Sequence, residues 1–135
     1  MEGEVNAQPA AGYRVGMSFV DPEIRVAHVG ERTSVVAVHG ELDLNAADLL
    51  RSALENGHRR GHRIVIDLVG ATFIDSTAVG IIAAAAKQLD GSGGSLTVVA
   101  SDPRIVRIFK LTGLDRTIRV ERSLAEAIAH RLLPA

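Results

Sequence analysis

The sequence predicts a single α/β domain in which about four helices pack on a mixed, mostly parallel central sheet. Three observations lead there. The 135 residues are enough for one core and too few for two domains. Hydrophobic residues make up 47% of the chain but aromatic ones only 3%, so the core has to be built from Val, Ile, Leu and Ala. Segments with strand patterning also alternate with segments of helical period in the order β, β, α, β, α, β, α, β, α, without an internal repeat.

Residues 1–20 are small and polar at their start and are read as a flexible N-terminal tail, leaving 21–135 as the domain. Ile24 to Val29 and the run VVAVHG, separated by the turn-like GERTS, read as a strand pair that Gly40 ends. Asn45 is expected to cap a helix carrying Ala46, Leu49, Leu50, Ala53 and Leu54 on its inner face, with cations and Gly61 at its far end. The β-branched run Ile64 to Val69 suits a strand covered on both faces. After ATFIDST, the residues Val79, Ile82, Ala83, Ala86 and Leu89 recur at helical spacing until DGSGG closes the helix. Leu96 to Ala100 is another buried strand. Asp102-Pro103 then opens a short helix over Arg104 to Leu111 that stops near Gly113. Thr117 to Glu121 reads as the last strand, and Ser123 with Glu126 has capping-box spacing ahead of the final helix.

Much familiar chemistry is missing. The chain has no Cys, which removes disulfides, thiol nucleophiles and thiolate metal sites. Neither glycine-rich phosphate motif occurs, and DGSGGS follows a helix and precedes a strand, the wrong side for a phosphate cradle. His58 and His62 flank basic residues with no carboxylate or Cys to complete a metal site, so HRRGHR reads as a solvated cationic helix end. A formal net charge of -1 offers no general field for nucleic acid or anionic membrane, and no apolar run is long enough to span a bilayer. The expectation is a cytoplasmic protein with no metal, no cofactor and no catalytic apparatus. A serine nucleophile would need His28 or His39 folded beside it, and the G-x-S-x-G elbow is absent.

One polar break in the apolar pattern stands out: Asp75-Ser76-Thr77, at the junction of a strand and a helix. Read plainly, Asp75 is a helix cap and the hydroxyls are tolerated in a first turn. A second reading starts from the hydroxyl. A phosphate on Ser76 would stand at the positive end of a helix, beside the Asp75 carboxylate that repels it, and would change the surface without changing the fold. The following helix carries Ile81, Ala84 and Ala85 off its core stripe, an apolar face that either a partner or a neighbouring element covers.

Three ordered blocks, VVAVHGELDLNAADLLRSAL, IVIDLVGATFIDSTAVGII and LTVVASDPRIVRIFKLTGLDR, resemble the STAS domain family, and within it the bacterial anti-sigma factor antagonists. The first two resemble the family's G-E-[LI]-D and D-S-[ST]-G-[LVI]-G signatures. The third resembles its strand and short helix ending near T-G-L. The resemblance implies that Ser76 is the phosphorylatable serine, flanked by Asp75 and Thr77, with Asp43 beside it at the same end of the sheet. It implies a partner surface of Asp43, Asp75, Ser76, Thr77, Ala78, Val79 and Ile81. It also implies two protein partners, an anti-sigma factor of the serine kinase type that phosphorylates the serine and a protein phosphatase that restores it. The unmodified form would bind the anti-sigma factor and release a sigma factor. A STAS scaffold or sensing module of a larger assembly, without its own kinase, is the alternative. Ala78 stands where the signature has Gly.

Overall fold

The computed structural model describes residues 23–59 and 63–132. The expected tail 1–20, and Gly61 with its neighbours, lie outside them. Five strands, β1 (Glu23–Val29), β2 (Thr33–Leu42), β3 (Arg63–Ile74), β4 (Ser95–Val99) and β5 (Arg119–Glu121), form one sheet in sequence order. β1 runs antiparallel to β2, and β2–β3, β3–β4 and β4–β5 are parallel. The helices are α1 (Ala47–Arg59), α2 (Ser76–Gly91), α3 (Pro103–Leu111) and α4 (Leu124–Leu132), with 3-10 turns at Leu44–Ala46 and Leu114–Arg116. The predicted element order and fold class therefore hold.

Alternation along the strands divides the core. Val36, Val38, Ile64, Ile66, Leu68, Leu96 and Val98 pack with Leu50 and Leu54 of α1, Ile82 and Leu89 of α2, and Ile105 and Phe109 of α3. The intervening Val35, Val65 and Val99 point the other way and meet Ala127 and Leu124 of α4. The sheet is thus clothed on both sides, which is why its strands read as unbroken apolar runs. Leu49, expected on the inner face of α1, is instead 49% exposed.

Local capping follows the sequence at three helix starts. Asp75 caps α2, accepting from the Ala78 N–H at 2.9 Å. Asp102 caps α3 ahead of Pro103, accepting from the Arg104 N–H at 2.9 Å. Ser123 accepts from the Glu126 N–H at 3.1 Å. The predicted Asn45 cap is replaced. Asp43 takes that role, its Oδ1 accepting from the Asn45 N–H at 3.0 Å, because a 3-10 turn intervenes before α1 begins at Ala47.

Two strands run further than their sequences suggest. Gly40 does not end β2; it adopts φ 89°, left-handed backbone that glycine takes without strain, and lets the strand bend and continue to Leu42. β3 likewise continues past Val69 to Ile74. Pairing with β4 stops at Asp67↔Val99, but pairing with β2 persists across two register shifts to Leu42↔Ile74. This extension carries the ends of β2 and β3, and the residues that follow them, to one place.

At the first shift, His39 lies opposite Gly70, and a Cβ built on Gly70 would sit 2.3 Å from the His39 Nδ1. Gly70→Ala should therefore force the exposed imidazole aside and cost about 1 kcal/mol or less in urea unfolding. In a His39→Ala background most of that cost should vanish, and an unchanged cost would place the strain in the backbone instead. A second outcome concerns acid. The side-chain hydrogen bond from Arg104 to Asp102, followed by its backbone bond and charge, holds the Asp102 carboxyl below its ordinary range. The stability this cap gives is present above that range and is lost only as pH falls through the lowered value. NMR titration should show the Asp102 midpoint rising in Arg104→Gln.

Candidate functional site

The site is built around the carboxylate of Asp75, where β3 gives way to α2. One oxygen, Oδ1, accepts from the Ala78 N–H at 2.9 Å and caps the helix. The other, Oδ2, accepts at 3.0 Å from the N–H of Leu44, 31 residues earlier in the chain. The Asp75 N–H in turn donates to the Leu42 carbonyl at 3.2 Å. One side chain thus fastens the turn after β2 to the start of α2.

The turn it holds is itself closed. Asp43 spends its side chain on the Asn45 N–H, and its carbonyl accepts from the Ala46 N–H at 2.9 Å. Ala46 and Ala47 are buried beneath, whereas the Leu44 side chain, 67% exposed, stands outward. Asp43 and Asp75, predicted neighbours at one end of the sheet, are indeed brought to adjoining turns.

Ser76 is the first residue of α2 and is exposed. Its hydroxyl has no hydrogen-bond partner among the described residues. Of the first-turn N–H groups, that of Val79 reaches the Asp75 carbonyl at 3.1 Å and that of Ala78 the Asp75 carboxylate. Those of Ser76 and Thr77 have no acceptor among the described residues. The arrangement is an accessible hydroxyl beside two unspent donors at a helix N-terminus, with one carboxylate immediately adjacent.

The other residues expected in the contact surface divide. Thr77 and Ile81 are half-buried and open on a groove of about 760 Å³ between α1 and α2. Ala78 and Val79 do not offer a surface, because both side chains turn into the core, Ala78 completely. The helical period explains this, since positions 78, 79, 82 and 89 form the stripe that packs on the sheet. The methyl that replaces the signature glycine is therefore inside the protein. The apolar face of α2 is shared: α1 packs along it, Ile81 and Ala85 are half-buried, and Ala84 and Gly80 remain exposed. Leu44 escaped the sequence reading. Its only sign there was an aliphatic residue set between two cap-forming side chains.

Among the described residues no group of three His, Cys, Asp or Glu side chains could hold a metal ion, and no helix is long and apolar enough to cross a membrane.

The STAS domain profile matches residues 25–127. The chain belongs to the STAS domain family. Its similarity to the anti-sigma-B factor antagonist of Bacillus subtilis is 32% identity over 85 residues, 63% of this chain and 78% of the relative. The anti-sigma F factor antagonist of Paenibacillus polymyxa is 29% identical over 82 residues, 59% of this chain and 70% of that one. Among solved structures, an anti-sigma factor antagonist from Mycobacterium paratuberculosis superposes with a TM-score of 0.76 at 31% identity, covering 84% of this chain and 96% of that chain. The anti-sigma factor antagonist SpoIIAA in its unphosphorylated form gives 0.71 at 22% identity, covering 84% of this chain and 100% of that chain, a likeness of fold. In this STAS domain Asp75 of the D-S-T block is bonded to the end of the G-E-L-D block, at the Leu42 carbonyl, and to the Leu44 N–H just beyond it.

Because Asp75 serves two donors in different segments, Asp75→Ala should cost about 1–3 kcal/mol by urea unfolding, more than a simple cap. Asp75→Asn keeps one acceptor oxygen and should fall between. In both variants the Leu44 amide should exchange faster with solvent deuterium. A Leu44 amide as protected as in the wild type would mean that the cross-chain bond is not what orders the turn.

Proposed function

We propose that this protein is an anti-sigma factor antagonist whose binding is switched by phosphorylation of Ser76. In its unmodified form it binds a serine-kinase anti-sigma factor in the cytoplasm and frees a sigma factor. The kinase uses ATP to phosphorylate Ser76 and so ends the interaction, and a protein phosphatase restores it. The protein's part is regulatory binding rather than catalysis. The observation that carries this reading is the Ser76 hydroxyl, exposed at the start of α2 and, among the described residues, unbonded beside two N–H donors without acceptors. The anti-sigma-B factor antagonists at about 30% identity support it, as does the resemblance of the D-S-T block.

The physical logic is local. An incoming phosphate brings about two negative charges and three acceptor oxygens to a helix N-terminus that has donors to spare. The same charge is set against Asp75, with Asp43 in the adjoining turn. The modified form can therefore persist as a folded protein while its surface becomes hostile to a partner that fitted the neutral serine. Asp43, Asp75, Ser76, Thr77 and Ile81 supply this surface, and Ala78 and Val79 support it from within.

The decisive measurement is intact mass after incubation with purified serine-kinase anti-sigma factors and ATP. One added phosphate is expected on the wild type and none on Ser76→Ala. Ser76→Ala should bind the same kinase constitutively, and Ser76→Asp should bind at least tenfold more weakly with little change in melting temperature. Wild type left unmodified by every kinase would instead favour an unswitched STAS scaffold in a larger assembly.

A further inference from the structure

Among the described residues the two most exposed large aliphatic side chains are Leu44 at 67% and Leu111 at 73%. They occupy different settings. Leu111 ends α3, whereas Leu44 sits in a three-residue turn whose backbone is bonded on every side. Its own N–H is held by Asp75, the N–H of Asn45 by the Asp43 side chain, and that of Ala46 by the Asp43 carbonyl. The buried Ala46 and Ala47 root the turn in the core.

We infer that Leu44 is the apolar anchor by which the kinase-type partner recognises this chain, a specificity-determining contact presented beside the acceptor serine. The inference rests on the reading of Ser76 as the phosphorylation site. A leucine left in water on a mobile loop has to be ordered when it binds. One on a preformed turn loses little freedom and returns more of its burial as affinity. The tether also fixes where the anchor stands. Leu44 and Ser76 are coupled through one carboxylate, since Asp75 precedes Ser76 in the chain and bonds the Leu44 N–H at 3.0 Å. A partner that places a phosphate on Ser76 must cover that carboxylate's surroundings, so the contact continues onto Leu44. The complementary feature on the partner is an apolar depression next to its phosphoryl-transfer site. A few well-packed, desolvated residues commonly carry most of an interface's energy, while neighbouring contacts contribute little.

The test is the steady-state kinetics of Ser76 phosphorylation by a purified serine-kinase anti-sigma factor that modifies the wild type. Leu44→Gln is compared with Leu111→Gln, an equally exposed leucine outside the proposed contact. Leu44→Gln should raise KM about tenfold or more with kcat within about twofold, the signature of lost binding rather than lost chemistry. Leu111→Gln should match the wild type. Both should keep its melting temperature, because both side chains are exposed. Leu44→Gln with an unchanged KM, or Leu111→Gln with an equal rise, would overturn the anchor while leaving the switch intact. No transfer to the wild type from any such kinase would remove the switch and this inference together.

Discussion

The bond between the Asp75 carboxylate and the N–H of Leu44 is the constraint on which the rest of the site depends. A helix cap needs one carboxylate oxygen, and Asp75 gives that one to Ala78. The second oxygen leaves its own segment and takes the N–H of Leu44 in the turn between β2 and α1. The two signature blocks are consequently a single structural unit, and the position of Ser76 relative to Asp43 is set by a hydrogen bond rather than by loop chance. A charged acceptor suits this duty, because hydrogen bonds to an ionised group are shorter and stronger than neutral ones.

That bond is available only because the middle of the sheet is longer than its flanks. β4 contributes five residues and β5 three, while β2 and β3 contribute ten and twelve. Beyond Asp67 β3 pairs with β2 alone, past His39 β2 loses β1 as well, and the register shifts near His39 and Glu41 bend the two strands as they go. Gly40 supplies the left-handed backbone that this bend uses, and Gly70 leaves room for the His39 ring. The sheet acts as a pedestal. Its base is packed on both sides, and its extension stays in the core, where Leu42, Ala71 and Ile74 are buried with Ala78 of α2, before ending at Asp43 and Asp75.

What the sequence revealed and what it hid separate along the range of the interactions involved. Caps at Asp75, Asp102 and Ser123 were legible because each is decided within three residues. The stripe of α2 was legible because helical period alone selects Val79, Ile82 and Leu89. Gly40 misled because glycine ordinarily weakens a strand, and only the partner strand, distant in sequence, makes continuing worthwhile. Asn45 lost the cap to Asp43 for a related reason. The bond that Asp75 extends to Leu44 helps draw the chain into a 3-10 turn two residues before the propensity pattern begins. The outward Leu49 and the inward Ala78 depend on how α1 and α2 are rotated against the sheet, which a pattern of letters constrains only loosely. The family signatures conveyed that these residues matter together, while the cross-chain hydrogen bond gives the physical reason.

The same geometry decides on which equilibrium a phosphate at Ser76 would act. Coulomb's law gives about 1 kcal/mol of repulsion between unit charges roughly 5 Å apart in water, and about 3 kcal/mol at an effective dielectric constant of about 20. Ser76 is exposed, so in the free protein the smaller figure governs, and the N–H groups of Ser76 and Thr77 stand ready to offset it. Against the several kcal/mol that hold a domain of this size together, the fold is little affected. When a partner covers the turn, water leaves and the larger figure takes over. About two charges would then face Asp75 with Asp43 close by, and the penalty falls on the complex alone. A phosphate on Ser76, at the end of the paired strands and with the helix's own alanine and valine turned inward beneath it, would therefore change what the protein binds at little cost to its fold.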